Sequence, residues 1–297
     1  MNAPLPRALP RREFLQLAAA TTAVAALPAP RAAAAATPAT PEIIDTHVSL
    51  GDWPFRKIPG ADPASLVARL RAAGVTQAWT GSLDALLHKD ISAVNARLVA
   101  ECRRAAGGLL VPFGALNPAL PGWEEELRRC AEVHRMPGIR LHPNYHGYTL
   151  RDPMFEQVLA AATARRLIVQ IAVIMEDERT LHPLVNVPAT DTAPLGPLLK
   201  QHPRARVQLL NAFRTLRGAP LLGLAAQGVR FEIATLDGLE GVALLLRQFP
   251  ADRLCFGSYA PVFYFEAAAL KLRESVLTPA QMIALTTGNA RSFLAAG

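Results

Sequence analysis

From residue 42 onward, short apolar runs alternate with longer stretches in which apolar positions recur every three or four residues. The first run, Ile43-Ile44-Asp45-Thr46-His47-Val48-Ser49-Leu50, has a two-residue period. It predicts a strand with Asp45, His47 and Ser49 on one face and Ile44, Thr46 and Val48 on the other. Asp62-Pro63 then marks a helix start and Gly74 its stop.

The same reading places further strands over 75–80, 109–116, 138–143, 167–175, 206–212, 229–235 and 253–259. Helices fall between them over 91–105, 123–134, 153–166, 194–201, 220–227 and 239–249, with Asp152 as the expected cap of the 153–166 helix. Two more helices follow near 265–275 and 279–294. Eight strands, each followed by a helix, predict an α/β fold, a (β/α)8 TIM barrel with extra C-terminal helices. The alternative, an open doubly wound sheet, would call for a Gly-rich phosphate turn after an early strand, and none is present.

Composition agrees with a large aliphatic core: 297 residues, 51% hydrophobic, 19% charged, mean hydropathy +0.19. Part of the net charge of +7 sits at the N-terminus, in Arg7, Arg11, Arg12 and Arg31 against Glu13, and residues 37–297 keep +4. The remaining basic residues are scattered, with no aromatic-interleaved Lys/Arg face, which excludes a nucleic-acid partner. Three widely spaced cysteines make neither a disulfide framework nor a zinc motif. They are expected as buried thiols, with Cys102 to Cys130 the one bridge that neighbouring helices would allow.

Residues 1–36 read as an address. Arg11-Arg12-Glu13-Phe14-Leu15-Gln16 precedes a mild apolar run from Leu17 to Leu27 and an Ala-rich tract to Ala36, which resembles a twin-arginine export signal. The run of about 11 residues is shorter than the roughly 20 a helix needs to cross a bilayer, so no stable membrane anchor is expected. The expectation is a barrel over 37–297, handed to the twin-arginine export machinery and located in the periplasm or outside the cell.

Active sites of barrels lie at the C-terminal ends of the strands. The residues there are His47 and Ser49, Thr80, Asn117, Arg140 and His142, Gln170 and Ala172, Asn211, Glu232 and Thr235, and Tyr259. His47 and His142 are the candidates for proton transfer, with Asp45 holding the His47 tautomer if it bends back, Tyr259 as an acid and Asn211 as an oxyanion donor. A buried Tyr, Asn and His equally satisfy one another as a core network. Trp53, Phe55 and Arg56 after the first strand, Tyr145 and His146 after the fourth, Arg140 beneath and Arg214 after the sixth form a basic, aromatic rim suited to a small carboxylated or sugar-like substrate. The competing reading makes Trp53 and Phe55 a plug, and Arg56 and Arg214 members of structural ion pairs.

Ile44-Asp45-Thr46-His47, Gly138-Ile139-Arg140-Leu141-His142-Pro143, the stretch from Leu150-Arg151-Asp152-Pro153 to Leu167-Ile168-Val169, Leu254-Cys255-Phe256-Gly257-Ser258 and Gly288-Asn289-Ala290 together resemble the amidohydrolase-related family. The resemblance spans roughly 42–294 and implies a barrel related to metal-dependent hydrolases, lactonases and non-oxidative decarboxylases. It also exposes departures. The family's His-x-His is His47-Val48-Ser49 here, and its later histidines and aspartate align with Ala172, Asn211 and Tyr259. One of five metal-site or general-base positions keeps its residue, so no metal and no cofactor are expected. Three readings remain: a metal-independent hydrolase or lyase, a binding barrel retired from chemistry, and a metal enzyme with another ligand set.

Overall fold

The computed structural model describes residues 42–182 and 184–296. The export signal read over 1–36 lies outside the described residues. Strands β1 (Ile43–Leu50), β2 (Val75–Ser82), β3 (Leu110–Pro112), β4 (Gly114–Ala115), β5 (Gly138–Leu141), β6 (Ile168–Ala172), β7 (Arg206–Leu210), β8 (Arg230–Glu232) and β9 (Leu254–Cys255) run parallel, as β1-β2-β3 and β4 through β9. Phe113 interrupts the third barrel position, so β3 and β4 are its two pieces, where the sequence predicts one strand over 109–116.

The ring closes between β9 and β1. The Thr46 N–H donates to the Phe256 carbonyl (3.0 Å), Tyr259 N–H to His47 O (2.7 Å) and Ser49 N–H to Ala260 O (2.9 Å). The eighth strand is therefore regular only at Leu254–Cys255, and its continuation to Tyr259 is irregular backbone paired to β1. Helices α1 (Pro63–Ala72), α2 (Ile91–Ala106), α3 (Trp123–Arg128), α4 (Pro143–His146), α5 (Pro153–Ala164), α6 (Leu195–Gln201), α7 (Gly218–Ala226), α8 (Gly241–Leu245), α9 (Phe265–Glu274), α10 (Pro279–Ile283) and α11 (Asn289–Ala295) complete the set. This is the (β/α)8 barrel that the alternation predicts.

Local chemistry explains the helix ends. Asp62 and Asp90 accept the Ser65 and Ala93 N–H groups at 2.9 Å and cap α1 and α2. Thr278 and Gln281 form a reciprocal capping box on α10. Asp152 departs from expectation: its Oδ2 accepts from the Thr149 N–H (2.6 Å) and hydroxyl (3.0 Å), so it stabilises the preceding turn and leaves α5 uncapped. After Arg128 the predicted 123–134 helix widens into a π-turn over Arg129–Val133. The three cysteines are free and buried, so the Cys102 to Cys130 bridge is not made.

The lumen has three layers. At the bottom, Ile44, Trp79, Phe113 and Ile168 pack with Ala290 and Phe293 of α11. In the middle, Arg140, Gln170 and Gln208 are register neighbours on β5, β6 and β7. Arg140 Nε donates to Gln170 Oε1 (2.9 Å), and Gln170 Nε2 donates to Gln208 Oε1 (2.9 Å) and Thr46 O (2.8 Å). At the top, Trp53, Leu83, Leu86, Ala172, Met175, Ala234 and Tyr259 form an apolar cap. The remaining aliphatic residues, such as Val48, Val169 and Leu209, fill the layer between strands and helices.

Candidate active site

The first strand does not keep a strict alternation. Between Asp45 and Val48 three residue steps on β1 oppose two on β2, a bulge with one extra residue. The predicted common face of Asp45, His47 and Ser49 is thereby broken. Thr46 enters the lumen, where Gln208 Nε2 donates to its hydroxyl (2.9 Å). Asp45 turns to the seam, where Oδ1 accepts the His47 and Ser258 N–H groups, each at 3.0 Å, and Oδ2 accepts the Ser258 hydroxyl at 2.5 Å. Burial pushes its carboxyl up to about 7 against these bonds. Asp45 is thus a closure residue, and it does not orient the His47 ring.

Glu232 takes that place. His47 Nδ1 lies 3.3 Å from Glu232 Oε1, and both side chains are fully buried. The same oxygen accepts the Asn211 N–H (2.6 Å), and Oε2 accepts the Ala234 N–H. A carboxylate used as an acceptor at every contact assigns the hydrogen to Nδ1. Among the described residues, His47 Nε2 is left as a buried lone pair without a partner. Burial lowers the His47 pKa to about 4 despite Glu232, so the imidazole is neutral at pH 7. Gly257 makes room for this carboxylate, since a Cβ there would sit 2.6 Å from Glu232 Cβ.

Tyr259 stacks on His47, ring centroids 4.3 Å apart and 16° from parallel. Its hydroxyl donates to the Met175 carbonyl (2.9 Å), and burial holds its pKa well above the ordinary value. The acid expected at Tyr259 is therefore an anchored packing group. Asn211 Nδ2 donates one of its two hydrogens to Ile174 O (2.9 Å). Arg140 lies inside the barrel and not on its rim: Nη1 donates to Val48 O (2.9 Å) and Ser49 Oγ (3.2 Å), Nη2 to Trp79 O (3.2 Å), and burial lowers its pKa to about 10.

His142 is buried with Nδ1 unpartnered, and burial holds its pKa well below 6.5. It lies edge-on to His146, centroids 5.9 Å apart. His146 Nε2 is 2.9 Å from the Ala85 carbonyl, so this ring braces the turn after β2 and does not overhang the mouth. Trp53 is part of the cap, its Nε1 buried without a partner. Phe55 remains on the surface and stacks on His182 at 5.4 Å. Arg56 pairs with Glu176 (2.9 Å) and Arg214 with Asp177 (2.7 Å), the ion-pair reading of both. Tyr145 is partly buried against the cap and lines an outer groove.

Among the described residues, the buried polar atoms without partners at this end of the barrel include His47 Nε2, His142 Nδ1, Trp53 Nε1, Asn211 Oδ1 and Thr235 Oγ1. Such atoms are uncommon in folded proteins and call for a catalytic role, a ligand or an ordered water to account for them. Glu232 had no role in the sequence reading. Its signal was a carboxylate set between Phe231 and Ile233 near the end of a strand.

The amidohydrolase family profile matches residues 44–295. The chain belongs to the amidohydrolase family. No curated protein matches its sequence. Among solved structures this amidohydrolase is similar to 2,6-dihydroxybenzoate decarboxylase from Rhizobium, with 13% identity, a TM-score of 0.63, and coverage of 86% of this chain and 99% of that one. It is also similar to IDCase of Metarhizium anisopliae in its apo form, with 14% identity, a TM-score of 0.67, and coverage of 86% and 97%. A third is 5-carboxyvanillate decarboxylase of Novosphingobium aromaticivorans with bound manganese and 3-methoxy-4-hydroxy-5-nitrobenzoic acid, with 12% identity, a TM-score of 0.65, and coverage of 86% and 97%. At these identities the likeness is one of fold.

The donor set of this amidohydrolase does not fit such a metal. Among the described residues no three His, Cys, Asp or Glu side chains are placed to hold one ion. Ser49 Oγ is engaged by Arg140, the Tyr259 hydroxyl by Met175, and Ala172 has no donor. Among the described residues no helix is long and apolar enough to cross a membrane.

Proposed function

We propose that this amidohydrolase is a metal-independent hydrolase or non-oxidative lyase that acts on a small carboxylated or sugar-like molecule at the top of its barrel. The observation that carries the reading is the His47–Glu232 pair, in which a carboxylate fixes Nδ1–H and leaves a bare Nε2. That is the arrangement of a general base with its orienting partner.

For an ester or lactone, His47 Nε2 takes a proton from water as the water oxygen bonds to the carbonyl carbon. Glu232 stabilises the imidazolium so formed. The His47 imidazolium gives that proton to the alkoxide as the carbon–oxygen bond breaks, which restores the neutral base. Entry requires the cap around Trp53 to open, since the His47 ring is buried. The experiment is turnover of lactones, esters, amides and carboxylated aromatics by protein stripped with a chelator. Unchanged rates after stripping, with at least a hundredfold loss in His47→Asn, are expected. Loss of activity on chelation would instead favour a metal enzyme.

A second reading, a binding barrel without chemistry, is favoured by the Tyr259 ring lying over His47. It predicts ligand affinity with no turnover in the same panel. The N-terminal Arg11-Arg12 pair and its apolar run support export by the twin-arginine route. N-terminal sequencing of the protein from the periplasm or medium, against an Arg11→Lys, Arg12→Lys variant held in the cytoplasm, tests it.

A further inference from the structure

A buried carboxylate opposite a neutral ring is costly unless a cation compensates it. Glu232 is such a group. Its contacts are His47 Nδ1 and the Asn211 and Ala234 N–H groups, none with a formal charge. The buried guanidinium of Arg140 is directed at Gln170, Val48, Ser49 and Trp79 instead.

A cation reaches Glu232 from outside the barrel. Ala268 and Leu272 are buried on α9, and Lys271 on the same helix is half-buried. Its Nζ donates to Ile233 O (3.0 Å) and Ala234 O (2.5 Å). The Ile233 carbonyl and the Ala234 N–H belong to one peptide unit. Lys271 therefore holds the oxygen end of the same peptide whose N–H end holds Glu232 Oε2. A peptide bonded to a charge at each end is polarised by both, and each bond strengthens the other. The bond to Ala234 O holds the following peptide too, so the turn after β8 is pinned twice.

The surrounding charges single out Glu232. Burial lowers the Lys271 pKa, and Glu232 leads the carboxylates that oppose this, ahead of Asp237 and Glu274, while Arg214 adds to it. Asp237 is exposed, so water and salt screen it, whereas Glu232 is fully buried.

We propose that Lys271 is a positioning residue of this site: its ammonium, acting through the Ile233–Ala234 peptide, holds the Glu232 carboxylate in place against His47. The inference rests on the reading of His47 and Glu232 as a base and its orienting partner, and adds a third member to them. Urea unfolding of the full protein tests it in a double-mutant cycle. Lys271→Met should lower the midpoint in the wild type, and by less than half as much in Glu232→Gln, where the charge it balances is gone. Equal shifts in the two backgrounds overturn the inference. The cycle is repeated with Lys271→Gln, which keeps a donor for the two carbonyls and removes only the charge, with the same expectation. On a substrate that is turned over, Lys271→Gln should lower kcat about tenfold with KM changed by less than about twofold, and Lys271→Arg should retain most of the wild-type kcat. A Lys271→Gln enzyme as active as the wild type shows a turn that any donor can hold, and overturns the inference. Equal midpoint shifts in a protein whose turnover depends on His47 remove Lys271 and leave the catalytic reading intact. A diminished shift in a protein that turns nothing over upholds the coupling of Lys271 to Glu232 and removes the catalytic reading.

Discussion

Tyr259 and His47 share one stack, 4.3 Å between centroids, and the Tyr259 hydroxyl is tied to the Met175 carbonyl on the far side of the barrel mouth. Tyr259 holds φ at +58°, a backbone conformation that non-glycine residues seldom adopt. The ring is therefore held by its contacts. Tyr259→Phe keeps the stack and removes one hydrogen bond, an expected cost of about 1 kcal/mol. Tyr259→Ala also opens a cavity over His47, an expected cost of about 3–5 kcal/mol. Equal losses for the two variants in urea unfolding would show that the hydroxyl, and not the ring, closes the mouth.

Glu232→Gln places an amide where the Asn211 and Ala234 N–H groups need an acceptor. It is expected to cost about 1–3 kcal/mol of stability and to lower turnover that depends on His47 about a hundredfold. In a double-mutant cycle on turnover, His47→Asn should add no further loss in the Glu232→Gln background. Additive losses would separate the two residues. A shifted acid limb in the pH profile of residual activity would mark Glu232 as a positioning residue.

Gly81 faces the Arg140 guanidinium: a Cβ there would come within 2.6 Å of Nη1. Gly81→Ala is expected to cost about 1–3 kcal/mol in the wild type. The penalty should shrink in an Arg140→Met background, where the flexible thioether yields. Arg140→Met itself should cost several kcal/mol, because it leaves the Val48 and Trp79 carbonyls and Gln170 Oε1 without their donor. A Gly81→Ala penalty identical in both backgrounds would contradict the contact.

Stability should rise with pH between about 4 and 6.5. Burial depresses the pKa of His47, His142 and His146, so in this window the unfolded chain binds protons that the folded one does not. Each such group adds up to about 1.4 kcal/mol per pH unit. Asp45, raised to about 7, has the opposite sign between 3.8 and about 7 and offsets one of the three. Urea midpoints at pH 4.5 and 6.5 provide the check, and a higher midpoint at pH 4.5 would refute the assignment.

The barrel was legible because its information is local. Period-two runs, Asp-Pro starts and Gly stops repeat along the chain, and a strand that must be covered on both faces reads as an apolar run wherever it occurs. The strand-end rule likewise brought His47, His142 and Tyr259 to one end of the barrel. Arg140, expected beneath the rim as a substrate contact, is instead held in the lumen by the protein's own acceptors. Only a ladder of Gln170, Gln208 and backbone carbonyls makes its burial tolerable, and those acceptors come from four different strands.

The sequence by itself determined the alternation and the family motifs, since each depends on residue identity at known spacing. Tertiary structure alone decided which carboxylate serves His47. Asp45, two positions away, would share its face in a regular strand, but same-face neighbours lie about 7 Å apart and the bulge turns Asp45 to the seam. Glu232 lies 185 positions away and reaches the ring only because the barrel closes. Strand geometry sets which side chains can meet within a run; closure sets which ones do across the fold.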